Sequence, residues 1–294
     1  MTRRVAITGA GGQLGRQLVT TFTRAGWEVL GAGRDRVDIT SPASLRELRE
    51  WQPQVVINAA AWTDVDGCAR DPDRARLING EAAGRVAEVA AERDALAVQI
   101  STNEVFDGEA TEPYREDSAT NPINPYGEAK LLGERAVAAA APRHLVVRTA
   151  WIFGRGGRNF PARIVEVARR QIIAGQPVRV VADEIGNPTW APDLAGGILQ
   201  AVGLALDGRI GIGTLHLAGE PSASRFAWAE AILAGLAGLD LQPISADEYP
   251  RPSRVPRHAV LSTERARTLG IAASDWRTAT ASYAGELLAA TVPG

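Results

Sequence analysis

The short apolar run Arg4–Thr8 passes without a break into Gly9-Ala10-Gly11-Gly12-Gln13-Leu14-Gly15 and then into an amphipathic stretch. A strand that turns through glycines straight into a helix commits the chain to a βαβ unit, because that turn fixes the helix N-terminus at the carboxyl edge of a parallel sheet. The glycines at 9, 12 and 15 meet separate demands: a tight turn, close approach of the backbone to a pyrophosphate, and close packing of helix on strand. Gly9, Gly12, Gln13, Leu14 and Gly15 are therefore predicted to cradle a dinucleotide, with its phosphate charge against the helix N-terminal N–H groups.

The alternation continues down the chain. Strands are expected at Arg4–Thr8, Glu28–Ala32, Val55–Ala59, Ala97–Ser101, His144–Arg148, Arg179–Ala182 and Thr214–Leu217. Between them lie helix candidates at Gln13–Arg24, Pro42–Trp51, Glu81–Arg93, Tyr126–Ala140, Phe160–Ala174 and Asp193–Ala205. In the third of these, Ala82, Val86, Val89 and Ala90 fall on one stripe at helical spacing. Repeated βαβ units predict an α/β fold, a Rossmann-type doubly wound parallel sheet buried on both faces. Residues 1–155 are expected to form this dinucleotide-binding domain. After Arg155, Gly175, Pro177, Pro188, Pro192 and the stretch Tyr249–Arg257 interrupt the pattern. Residues 156–294 are accordingly read as mainly a smaller substrate lobe, some of whose segments return to the sheet.

Bulk properties exclude several classes. A formal net charge of -2 argues against a nucleic-acid or anionic-membrane surface, which needs a clustered positive excess. The single Cys68 cannot form an internal disulfide, and no signal-peptide pattern or apolar run of roughly 18 residues is present, so a cytoplasmic location is expected. His144, His216 and His258 are scattered and lack metal-ligand spacing, so no metal site is expected.

Cofactor choice turns on the end of the second strand, where a carboxylate suits a ribose 2′-hydroxyl and an arginine suits a 2′-phosphate. Gly31-Ala32-Gly33-Arg34-Asp35-Arg36 supplies both; Arg34 and Arg36 favour NADPH, with NADH left open. Asp38 and Ile39 are placed beside the adenine. In Asn58-Ala59-Ala60-Ala61, the small Ala60 and Ala61 let a cofactor lie over the sheet edge.

The candidate chemistry comes from Ser101-Thr102, ending the fourth core strand, and from Asn124-Pro125-Tyr126-Gly127-Glu128-Ala129-Lys130. Asn124 reads as an N-cap with Pro125 in the first helical position, which sets Tyr126 and Lys130 one turn apart on one face. A phenol, with a reference pKa of about 10, becomes a better acid-base group beside an ammonium. Lys130 is expected to supply that charge and to hold the nicotinamide ribose. Thr102 is expected to hydrogen-bond the substrate oxygen while Tyr126 gives it a proton.

Gly9–Gly15, Asn58–Ala61, Ser101–Gly108, Tyr126–Lys130 and Arg148–Gly154, with Gly157–Phe160, Asp183–Thr189 and Arg251–Ser253, resemble the dTDP-4-dehydrorhamnose reductase family over nearly the whole chain. The resemblance implies an NADPH- or NADH-dependent oxidoreductase that reduces a dTDP-linked 4-keto-6-deoxy sugar, in rhamnose supply or in secondary-metabolite tailoring. It implies Tyr126 as proton donor, Lys130 as its partner, Thr102 as a substrate contact and Trp151 as cover for the sugar. A magnesium-linked dimer is known in the family; a homodimer is compatible with this chain, although no ligand set is legible in it.

One stretch departs from the family pattern. Asn103 and Glu104 stand where an aspartate and a tyrosine are common, so Asn103 is expected to contact substrate without charge, and sugar preference is open. The altered stretch also resembles nucleotide-sugar 4,6-dehydratases, but Asn103 cannot donate a carboxyl proton. A 4-epimerase or a 4,6-dehydratase is the nearest alternative; a non-catalytic NADP-binding regulatory subunit is the alternative from another class. Asp64 and Asp66 beside Trp62 could line the entrance or form a solvated loop. One of Arg158 and Arg163 could meet a diphosphate, or both could face solvent.

Overall fold

The computed structural model describes residues 3–289. Its centre is one sheet of six parallel strands: β1 (Arg4–Thr8), β2 (Glu28–Ala32), β3 (Val55–Asn58), β4 (Leu96–Thr102), β5 (His144–Thr149) and, after four short strands, β10 (Gly213–His216). Those four are β6 (Ile152–Phe153), β7 (Val178–Val181), β8 (Ile185–Gly186) and β9 (Thr189–Trp190); β11 (Ala223–Ser224) and β12 (Leu241–Ile244) follow. The helices are α1 (Gln13–Arg24), α2 (Arg46–Glu50), α3 (Val65–Arg70), α4 (Pro72–Ala75), α5 (Ala82–Ala91) and α6 (Pro125–Ala140). Beyond them lie α7 (Phe160–Ala174), α8 (Ala191–Leu206), α9 (Arg225–Leu233), α10 (Glu264–Thr268) and α11 (Trp276–Ala289).

The sheet order is β10-β5-β4-β3-β1-β2, so the winding direction reverses between β1 and β3. Ligands of open α/β sheets bind at such a reversal, beyond the carboxyl ends of the strands. Every residue of β4 and β5 is buried, as strands covered on both faces require. Alternation sorts their side chains: Val5, Ile7, Val55, Ile57, Val98 and Val147 pack with Leu18 and Phe22 of α1 and Ile198 of α8. Ala6, Val56 and Ala97 face the opposite layer, where Ala82, Val86, Val89 and Ala90 of α5 form the expected stripe beside Val137 of α6. A third core joins Phe153, Ile164, Trp228, Trp276 and Tyr283 from α7, α9, α11 and β6.

Several expected boundaries move. Helix α2 covers only Arg46–Glu50 rather than Pro42–Trp51, because Ser44 Oγ accepts from the Asp38 N–H and the Asp38 carboxylate accepts from the Thr40 N–H, holding the preceding segment in turns. The expected strand at Arg179–Ala182 is Val178–Val181 and lies outside the central sheet, paired in parallel with β12. Strands β4 and β5 run one residue further than expected, to Thr102 and Thr149, and thereby carry Thr102 within the sheet. Helices α3, α4, α9, α10 and α11 were not expected; the first two lead through a π-helical turn, Arg76–Glu81, into α5, which therefore starts at Ala82.

Candidate active site

The glycine turn sits where the winding reverses. Gly9 has a φ of +67°, and a Cβ there would stand 2.6 Å from the Ala60 amide nitrogen, so the turn lies directly on the Asn58–Ala61 segment. A Cβ on Gly15 would overlap the Gly9 carbonyl oxygen. Gly12 caps α1 without a side-chain hydrogen bond, which leaves the first-turn N–H groups available to an anion. Gln13 Nε2 is buried with no hydrogen-bond partner among the described residues, while its Oε1 accepts from Asn159 Nδ2 at 3.2 Å. Uncapped N–H groups, an orphaned amide and a backbone stripped of side chains fit the pyrophosphate of a dinucleotide. At the end of β2, Arg36 donates through Nε to Glu47 at 2.6 Å, whereas Arg34 is exposed, 4.0 Å from Asp38. Of the two arginines, Arg34 is the more loosely held. Ile39 is buried beneath this edge, and Ala61 is exposed beside it.

Strand β4 delivers Thr102 to the carboxyl edge, and a 3-10 turn over Asn103–Val105 follows at once. Helix α6 begins as its sequence requires: Asn124 Oδ1 accepts from the Gly127 N–H at 2.8 Å, and Pro125 occupies the first turn. Tyr126, Lys130 and Thr102 are all buried, and the Thr102 hydroxyl lies beside the Tyr126 phenol. Lys130 Nζ donates to the Ile100 carbonyl oxygen at 2.6 Å.

The electrostatics differ from the expectation for the Tyr126–Lys130 pair. Burial raises the Tyr126 pKa, the nearby Glu104 carboxylate raises it further, and only the Thr102 hydroxyl works against them. The Lys130 ammonium is turned to the Ile100 carbonyl, and burial pulls its pKa down to about 8. Tyr126 is therefore held as the neutral phenol at neutral pH.

Asn103 and Glu104, which follow Thr102 in the chain, enter the wall of a cavity of about 200 Å³ that Thr102, Tyr126 and Lys130 do not themselves line. Asn103 and Glu104 form its wall on the β4 side, with Trp151, Glu184, Arg225 and Arg251 opposite. Asn103 spends its Nδ2 on the Ala259 carbonyl at 2.9 Å. Glu104 accepts from Asn124 Nδ2 at 2.7 Å; burial pushes its pKa up to about 6, against the pull of Asn124 and of Arg225 and Arg251. Arg225 lies 3.5 Å over the Trp151 ring, and burial lowers its pKa to about 10. Glu184, almost wholly buried, pairs with both arginines. Trp151 has a left-handed backbone, φ 44°, a strain of about 1–3 kcal/mol for a non-glycine residue. Its indole stacks with Trp228 as well as Arg225, so it supports the cavity's cation as much as it covers the cavity.

Asp64 and Asp66 do line the cavity, and each also ties backbone: Asp64 caps α3 through the Gly67 N–H, and Asp66 accepts from the Ser253 N–H. Arg158 and Arg163, for which diphosphate contact and solvent exposure were both open, are exposed and outside the cavity wall. The cavity's arginines are Arg225 and Arg251, to which sequence reasoning gave no role. Arg251 and Glu184 stand in two of the stretches that carried the family resemblance, and charge among Gly and Pro in a loop was the available signal.

Residues 3–289 match a family model described as the RmlD substrate binding domain. The chain is 38% identical to a dTDP-4-dehydrorhamnose reductase of Mycolicibacterium smegmatis, over 100% of this chain and 89% of that one. It superposes on a dTDP-4-dehydrorhamnose reductase of Clostridium acetobutylicum with a TM-score of 0.89 and 34% identity, covering 97% of this chain and 99% of that one. A Bacillus anthracis dTDP-4-dehydrorhamnose reductase, solved in complex with NADP, gives a TM-score of 0.87 at 31% identity, with 97% and 100% covered.

Proposed function

The chain belongs to the RmlD family of dTDP-4-dehydrorhamnose reductases, and on that footing we propose that it reduces the C4 ketone of a dTDP-linked 4-keto-6-deoxy sugar with NADPH, as in the step from dTDP-4-dehydro-L-rhamnose to dTDP-L-rhamnose. The observation that carries the reading is the buried set Thr102, Tyr126 and Lys130 at the carboxyl end of β4 and the start of α6, with Asn103 and Glu104, the residues that follow Thr102, in the wall of a polar cavity.

Gly9–Gly15 would hold the cofactor pyrophosphate, Arg34 its 2′-phosphate, and Tyr126 and Lys130 the nicotinamide ribose. When bound, NADPH supplies the hydride. Thr102 hydrogen-bonds the ketone oxygen and orients it, and Tyr126, protonated at neutral pH, delivers a proton to that oxygen as carbon is reduced. Arg225 and Arg251 give the cavity its positive charge and would meet the diphosphate. Residues 156–289 serve mainly as the substrate lobe, while α8 and β10 return to the central sheet. Dehydration is disfavoured because Asn103, where a carboxylic acid is needed, has an amide engaged by Ala259.

Among the described residues no helix is long and apolar enough to cross a membrane. The decisive experiment follows NADPH oxidation with dTDP-4-keto-L-rhamnose beside its UDP-linked and D-sugar counterparts. Turnover with the dTDP sugar supports the reading, and no turnover with any keto sugar overturns it.

A further inference from the structure

One buried charged cluster lies outside the cavity. Glu134 stands one helical turn after Lys130 on the same face of α6. Its Oε1 accepts from Ser101 Oγ at 2.5 Å and from Arg148 Nε at 2.9 Å, and its Oε2 accepts from Arg148 Nη2 at 2.7 Å. Ser101 and Arg148 are register partners on β4 and β5. Two consecutive residues of β4 therefore hold both groups, the Ile100 carbonyl taking the Lys130 ammonium and the Ser101 hydroxyl the Glu134 carboxylate.

We propose that Glu134 is a positioning residue, the fixed counter-charge that keeps the Lys130 side chain an ammonium and aims it at the site. The inference rests on the role given to Lys130 above. A buried ammonium with a single carbonyl partner is costly, and burial favours its neutral form. Arg148 brings a second cation to the same carboxylate. The cluster is then two cations around one anion, and without the anion the lysine is the group that gives up charge. The Glu134 charge is the influence that sustains the Lys130 ammonium against burial.

The surroundings leave Glu134 in that role. Tyr126 on α6, Cys68 on α3 and Glu104 after β4 flank the same region. Tyr126 and Cys68 are held protonated, with the Cys68 thiol pushed up to about 12, and Glu104 is spent on Asn124. Beyond Arg148 on β5 lies His216 on β10, pushed down to about 3 and therefore neutral. Helix α5 packs on α6 with alanine and glycine, while its Arg85 bonds the Thr40 carbonyl and its Glu88 is exposed.

The test compares Glu134→Gln, Arg148→Met and Lys130→Met with the wild type, measuring NADPH affinity by fluorescence and kcat/KM from about pH 6 to pH 10. In the wild type the alkaline fall-off in both should track Lys130. Glu134→Gln should move it to lower pH by about one unit, a tenfold loss of charged lysine at a fixed alkaline pH. Arg148→Met should move it the opposite way, since Glu134 then serves Lys130 alone. Glu134→Asp should restore most of the wild-type position, and it carries the same test if Glu134→Gln does not fold. A merely structural ion pair would lower the melting temperature of both variants and leave the fall-off in place, and that result overturns the inference. If Lys130→Met keeps wild-type NADPH affinity and turnover, the reading of the site itself fails, and the inference with it.

Discussion

Asn124 ties Glu104 to the helix that carries Tyr126. Its Nδ2 donates to the Glu104 carboxylate at 2.7 Å and to the Arg254 carbonyl at 2.8 Å, while its Oδ1 accepts from the Gly127 N–H at 2.8 Å. One side chain thus caps α6, holds the cavity's raised-pKa carboxyl and pins the 254 loop. The cap was legible in the sequence; its reach to residues 20 and 130 positions away was not.

That carboxyl should be visible in the pH dependence of stability. A carboxyl whose folded pKa lies above its unfolded value stabilises the fold most at low pH and loses the contribution as pH rises through the folded value. With a shift from 4.5 to about 6, the wild type should lose on the order of 2 kcal/mol between about pH 4 and pH 7 through this group. Glu104→Gln removes that dependence. Urea midpoints at the two pH values should converge in the variant, and equal pH slopes in both proteins would refute the assignment.

Tyr126→Phe should lower turnover by about two to four orders of magnitude, the usual worth of a positioned acid. Melting temperature should change little, while NADPH affinity should fall modestly because the phenol is also assigned to the nicotinamide ribose. Retained turnover would remove Tyr126 from the proton-transfer role.

Arg225→Leu should raise the KM for the nucleotide sugar about ten- to a hundredfold, in line with a charged hydrogen bond worth about 1.5–3 kcal/mol. NADPH affinity should stay constant, because Arg225 lies on the cavity side with Trp151 and Glu184. An unchanged KM would place the diphosphate elsewhere.

Gly15→Ala tests the turn. In an ordinary helix the exchange stabilises by about 1 kcal/mol. Here the new Cβ would overlap the Gly9 carbonyl, so both stability and NADPH binding should fall, whereas Gly11→Ala meets nothing within 4 Å and serves as the control. Calorimetry and fluorescence titration of the two variants would settle the contrast.

Where sequence reasoning succeeded, the signal was local. The glycine turn, the β1 and α1 boundaries, the Asn124 cap and the one-turn spacing of Tyr126 and Lys130 all follow from short-range backbone chemistry. It stopped short at α2, where Asp38 and Ser44 compete for backbone N–H groups, and in the second half of the chain, where the elements are short and their apolar faces meet only in the third core.

The sequence by itself determined the doubly wound sheet, because strand and helix periods and the first turn admit no other packing of these residues. Tertiary structure alone decided the charge states at the site. Lys130 and Tyr126 share a turn, yet the groups around them come largely from far away in sequence: the Ile100 carbonyl and the Arg148 that shares Glu134 with Lys130, Glu104 beside Tyr126, and Arg225 and Arg251 in the cavity. Charge depends on distance and burial in space, and neither quantity is written in the order of residues along the chain.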